Sequence, residues 1–185
     1  MGVGTMGITF ETWEARQMQD PAFRAACEAL EDEYQSDALK IRGAAEIRLT
    51  DIETGEVNVW EGHNAVVDGG LNLMLERLSG AAGVAALGHL ALGSGTASFL
   101  GSATGLNSEF YRKAITSASV ASNVLTVKTY FTTAQASGYI RELGLTNAAG
   151  SGAGTLIVHL EVSPQQQKTS AKEMVVTQTL TLSRA

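Results

Sequence analysis

The 185-residue chain has one cysteine, Cys27, two prolines, Pro21 and Pro164, and only 17% charged and 6% aromatic residues. A single cysteine excludes an intrachain disulfide and a metal site made of cysteines alone. Two prolines exclude a proline-rich stalk. The chain also lacks the run of about 20 apolar residues that a membrane-spanning helix needs, so we expect no membrane partner.

The sequence is acidic, with 13 basic and 19 acidic residues and a formal net charge of -6 at pH 7. Binding to phosphates needs clustered Lys and Arg, so nucleic acid is not an expected partner. Hydrophobic residues make up 44% of the chain, which excludes a disordered protein and allows a core. Residues 1–7 lack the basic region and apolar run of a signal peptide, which predicts synthesis in a cytoplasm.

Residues 1–42 are charged and helix-like, and they are predicted to form an N-terminal helical docking arm. Asp20 and Pro21 are typical of a helix start, and upstream residues around Trp13 suggest a shorter helix. The helix could pack on its own domain, dock on a neighbouring subunit or form a mobile tail. In the second case the candidate partner-docking residues are the large apolar ones: Phe10, Trp13, Phe23, Leu30 and Tyr34.

Residues 43–185 alternate between apolar and polar side chains, as strands with one buried face do. Ile47 and Leu49 begin the pattern, and a turn at 53–55 predicts a β-hairpin. Further strands are predicted at 87–92, 110–120, 124–131, 139–145, 155–162 and 174–182. Many short strands joined by Gly and Asn turns predict a mainly β fold, an antiparallel β-sandwich.

One internal helix is predicted within this β domain. Asp68 is its expected cap, and Gly80 is expected to end it with a positive φ. Its large apolar residues recur at helical spacing and line one side: Leu71, Met74, Leu75 and Leu78.

The sequence assigns no catalytic, cofactor-binding or metal-binding residues, and we expect neither enzyme activity nor a cofactor. The three histidines do not show ligand spacing; His89 is expected in the core and His159 to point outward. The glycine-rich stretches at 93–96 and 150–155 lack the Gly-Lys-Ser/Thr ending of a phosphate loop, so they are interpreted as loops.

Charged residues within the strands are interpreted as structural. Glu142 lies in an otherwise apolar strand, where an ionised carboxylate needs a partner, so an ion pair or hydrogen-bonded turn is expected. The basic residues Arg112, Lys113, Lys128 and Lys168 are expected on solvated faces or in rim contacts.

Several segments between Trp60 and Leu182 occur in an order that resembles a structural domain of bacteriophage tail-fibre, tail-tip and baseplate proteins. They are NAVVDGGLNL (64–73), HLALGSGT (89–96), EFYRK (109–113) and SGYIRELGL (137–145), followed by GTL (154–156) and KTS (168–170). The first 40 residues are outside this resemblance. They resemble the leader helices of small helix-turn-helix antitoxins, but no helix-turn-helix pattern follows, so DNA regulation is not inferred.

The resemblance implies a virion structural protein of the tail region that is assembled in the cytoplasm of a bacterial host. Its implied partners are other copies of itself and neighbouring virion proteins, with no catalytic residues. Two alternatives stay open: a capsid decoration or head-fibre protein, and a carbohydrate-binding receptor module. An enzyme that degrades cell surfaces would need an acid pair that the sequence does not single out.

Overall fold

The computed structural model describes residues 13, 17–36, 39–96 and 100–184, with residues 29–36 described by their backbone alone. These residues fall into two compact units. One contains the helix that follows Asp20, and the other spans Ile41–Leu182 and contains most of the strands.

Helix α1 spans Pro21–Ser36. It is capped as predicted, because the Asp20 carboxylate accepts a hydrogen bond from the Ala22 N–H at 2.9 Å. The cap pairs one of the backbone donors that a helix leaves free at its first turn. In the same unit, Trp13 packs edge-on against Phe23 with 6.1 Å between the ring centroids.

Within the described residues, ten strands form two antiparallel five-stranded sheets, which confirms the predicted β-sandwich. The strands are β1 (Leu39–Asp51), β2 (Val57–Gly62), β3 (Ala65–Val66), β4 (His89–Gly93), β5 (Glu109–Ala114), β6 (Ser117–Ala121), β7 (Val124–Phe131), β8 (Gly138–Thr146), β9 (Leu156–Lys168) and β10 (Lys172–Arg184). Sheet A has the order β2-β1-β10-β7-β6, and sheet B has the order β3-β9-β8-β4-β5.

The two sheets share one hydrophobic core, because alternate residues of each strand face the same side. Sheet A contributes Ile47, Leu49, Val127, Phe131, Met174 and Val176, and sheet B contributes Leu90, Leu92, Leu143, Leu145, Val158 and Leu160. The alternation in β1, β9 and β10 predicted the inward-facing residues of those three strands.

The segment predicted as one strand over 110–120 forms two strands that belong to different sheets. The chain changes sheets between two neighbouring residues: the Ile115 N–H donates to the carbonyl of Gly88, whereas the Thr116 N–H donates to the carbonyl of Lys128. The single-strand prediction was therefore wrong, and β6 becomes the last strand of sheet A.

Helix α2 spans Asp68–Leu78 and packs on β9. Val67, in an extended conformation, precedes it, so Asp68 lies in the first turn and not at the cap position that was predicted. A Cβ atom at Gly70 would collide with the backbone of Ile157, so glycine permits this close approach. Gly80 follows the helix with a φ of 73°, as predicted. No helix within the described ranges combines the length and apolar character that crossing a membrane requires.

Candidate functional site

The outer face of sheet B, turned away from the core, contains the principal buried polar cluster. The strand register places Arg112, Ala91, Gly144 and His159 side by side across β5, β4, β8 and β9. The small residues at the centre of this row leave room for loop side chains; Leu106, for example, lies against Gly144. Polar side chains at both ends of the row are therefore covered by loops.

Glu142 is completely buried in this cluster. Its Oε2 accepts a hydrogen bond from the Asn107 N–H at 3.0 Å and lies 3.2 Å from His159 Nε2. Glu142 thus has the structural partners that were predicted, and it holds the loop before β5 against the sheet. His159 lies on the outer face of the sheet, as expected, but its imidazole is covered and only 3% exposed.

Arg112 is the centre of a second buried cluster. Its guanidinium binds Glu109 and donates from Nη1 to the carbonyl oxygens of Ala148 and Ala153, at 2.9 and 2.8 Å. Its side chain is only 8% exposed, so the expected solvated position was wrong. These bonds hold the loop between β8 and β9 on the sheet, which leaves the guanidinium little freedom to bind a ligand.

Lys113 is also partly buried, contrary to expectation. Its Nζ donates to the carbonyl of Tyr130 at 2.7 Å and to Gln135 Oε1 at 2.6 Å, and it lies 5.5 Å from the ring centroid of Phe131. These contacts link β5 of sheet B to β7 of sheet A. Lys113 therefore stabilises the sandwich at the end where the chain changes sheets.

Lys168 was expected in solvent but is only 1% exposed. Its Nζ donates to the carbonyl oxygens of Thr133 and Thr169, and burial lowers the pKa of this amine. In sheet A, β7 pairs with β10, and the hydroxyl of Tyr130 on β7 donates to Glu173 Oε1 on β10. This hydrogen bond raises the pKa of the Tyr130 phenol. Lys128, by contrast, is exposed as predicted.

An open trough of about 560 Å³ lies on sheet A, lined by residues of β1, β2 and β10 and by His63. Glu46 and Glu61 face each other across its two strands, and Arg48 lies 3.3 Å from Glu46. Across all the ranges the structure describes, no group of three or more His, Cys, Asp or Glu side chains is placed to hold a metal ion. The trough therefore offers carboxylates but no assembled metal centre.

Large apolar side chains are exposed on α2 and on β6. Leu71, Leu75 and Leu78 of α2 are 41%, 65% and 84% exposed, so the helix turns this row outward and buries Leu73. In sheet A, all residues of β6 are exposed, including Val120. The helical spacing of the α2 leucines was predicted correctly. The sequence did not predict that β6, which forms the free edge of sheet A, is a strand separate from β5.

The structure describes the side chains of only some of the predicted docking residues. Trp13 is 45% exposed and Phe23 is half-buried. Phe10 lies outside the described residues, as do the side chains of Leu30 and Tyr34. The docking role of these five residues stays a prediction.

Comparisons with models of known protein families, with curated proteins and with solved structures found no match to this chain.

Proposed function

We propose that this chain is a structural protein of a bacteriophage virion, located in the tail region at the tail tip, the baseplate or a fibre attachment. It acts by assembling with copies of itself and with neighbouring virion proteins, and it catalyses no reaction. The cytoplasm of the bacterial host is its place of synthesis, and the virion is its final location.

The observation that carries this proposal is the spatial convergence of the segments that resemble phage tail proteins. The segment 89–96 contains β4, 109–113 lies in β5, and 137–145 contains β8. These strands are consecutive neighbours in sheet B, and 64–73 supplies β3 at its far edge and the start of α2. Because these separate segments build one sheet, the resemblance covers a continuous part of the fold, which supports the proposal.

The hydrogen bonds of the buried polar side chains support a role in assembly rather than in catalysis. Arg112 and Glu142 are occupied in holding two loops on sheet B. A catalytic carboxylate or base must reach a substrate, whereas both of these groups are enclosed.

The carbohydrate-binding alternative has less support, because glycan sites usually offer exposed aromatic rings. After the arm, Trp60 is buried, Tyr111 and Tyr130 are partly buried, and Tyr139 is exposed. A glycan array is the direct test of this alternative, and clear binding there would favour a receptor module.

Mass spectrometry of purified phage particles tests the proposal. We expect the chain in gradient-purified virions and, after heads and tails are separated, in the tail fraction. Recovery with heads would instead favour the capsid decoration or head-fibre alternative. Recovery of the chain from lysed cells but from neither part of the particle would contradict a virion role.

A further inference from the structure

We infer that β6 is a self-association edge, at which β6 of one copy pairs antiparallel with β6 of a second copy and continues sheet A across two subunits. This inference rests on the proposed function, because it names the contact through which copies of a virion protein assemble.

The first argument is the free backbone of β6. The strand pairs with β7 through a hairpin whose turn residues, Ser122 and Asn123, both have positive φ. Residues that flank such a tight turn bond to each other, and bonded and non-bonded positions alternate along the strand. Ala118 and Val120 therefore direct their N–H and C=O groups away from β7, toward the open edge of the sheet.

The second argument is the comparison with the other sheet edges. Natural edge strands are protected from pairing by charges or by very short length. At the other edges β3 has only two residues, β2 carries Glu61, and β5 carries charged residues such as Glu109. By contrast β6 is uncharged, lacks proline and has all five residues exposed, with Val120 at 75%.

The third argument identifies a second copy as the partner. With Ser119 opposite Ser119 of the partner, Ala118 lies opposite Val120, so the outward backbone groups of both copies meet donor to acceptor. Charge favours the same contact: the chain carries a net charge of -6, yet it has no Asp or Glu between Phe110 and Arg141. Two copies paired at this edge therefore bring no carboxylate of this segment together, and β6 itself adds no charge to the contact.

The register gives a sharp cross-linking test. In a Cys27→Ala background, Ser119→Cys places two thiols directly opposite each other at a non-bonded position, where Cα atoms lie about 4.5 Å apart. The matched control is Ser117→Cys on the same strand. Its two thiols would lie four residues apart along the strand, about 13 Å, which is too far for a disulfide.

We expect Ser119→Cys to form a covalent dimer under mild oxidation at least about tenfold faster than Ser117→Cys, because disulfide formation requires close Cα atoms. Adding Val120→Pro should abolish this difference, because proline removes an outward N–H that the monomer does not use. Val120→Thr retains the N–H and should preserve the difference.

Equal rates for the two cysteine variants would overturn the β6 contact. Light scattering of the unmodified chain distinguishes failure of the β6 contact from failure of self-assembly itself. If the chain self-associates while the rates are equal, assembly stands and the contact lies elsewhere, for example at the leucines of α2. If the chain stays monomeric at high concentration and the rates are equal, the self-assembly part of the proposed function fails as well.

Discussion

The guanidinium of Arg112 binds both carboxylate oxygens of Glu109, from Nε to Oε1 and from Nη2 to Oε2, each at 2.7 Å. Residues three apart in a regular strand face opposite sides of the sheet. A shift of register at Leu92 and Gly93 places this pair on one side. The bulge thus creates a buried, two-pronged ion pair that continues into the loop between β8 and β9.

Replacing Arg112 with Met is expected to destabilise the fold by about 3–5 kcal/mol, because it leaves the buried Glu109 carboxylate without its partner. Urea unfolding followed by circular dichroism measures the loss. The matched control is Lys128→Met on the exposed side of β7, with an expected change within about 0.5 kcal/mol. Equal stability of the two variants would show that the pair does not stabilise this loop.

Glu142 gives a second prediction, because its carboxylate accepts the Asn107 N–H inside the fold. Glu142→Leu removes the acceptor and should cost about 1–3 kcal/mol, the usual effect of a buried donor left unpaired. Glu142→Gln retains an acceptor oxygen in the same shape and should cost less. Hydrogen exchange at the Asn107 amide is the local measurement; unchanged exchange in Glu142→Leu would contradict the assigned role.

The turn between β1 and β2 should make stability depend on pH. The Asp51 carboxylate accepts hydrogen bonds from the backbone N–H groups of Thr54 and Glu53, which lower its pKa below the ordinary value of 3.8. Because the folded pKa is the lower one, the charged group contributes stability above the unfolded value, and this contribution is lost as the pH falls through the folded pKa.

Asp51→Asn tests this dependence, since the amide retains an acceptor oxygen but cannot ionise. The stability difference between the unmodified chain and the variant should be largest at neutral pH and should shrink in acid. Unfolding curves across this range measure it, with NMR titration of the Asp51 carboxyl carbon as the direct check. A difference that does not change with pH would contradict the assigned cause.

The sequence predicted the sandwich because strand periodicity is local: Ile47 and Leu49 in β1 and Val158 and Leu160 in β9 alternate with polar neighbours. It could not predict features set by distant partners. The separation of β5 from β6 depends on which carbonyls accept from Ile115 and Thr116, and these belong to different sheets.

The buried charges escaped prediction for the same reason. A register shift between Ile140 and Glu142 puts Ile140 in the core and Glu142 on the outer face, although simple alternation places both on one side. Burial of Arg112 and His159 depends on loops that are remote in sequence. In α2, periodicity predicted the helix, but the close approach of Gly70 to Ile157 determines that Leu75 faces outward.

The docking arm provides the last prediction. Deleting residues 1–40 should leave a folded β domain, because Ile41–Leu182 form a compact unit with the hydrophobic core. The deleted chain should no longer enter phage particles, because it lacks the arm's aromatic side chains, each worth about 1.5–3 kcal/mol when fully buried against a partner. Thermal unfolding checks the fold, and mass spectrometry of particles from a complementation assay measures incorporation.

A matched variant distinguishes the effect of the arm's aromatic side chains from the effect of deleting the whole arm. The double substitution Trp13→Ala and Phe23→Ala retains the full chain but removes an exposed and a half-buried ring from the arm. It should unfold at the same temperature as the unmodified β domain and yet enter particles poorly. If both this variant and the deleted chain are incorporated at the normal level, assembly depends on the surfaces of the sandwich alone, and the arm has no docking role.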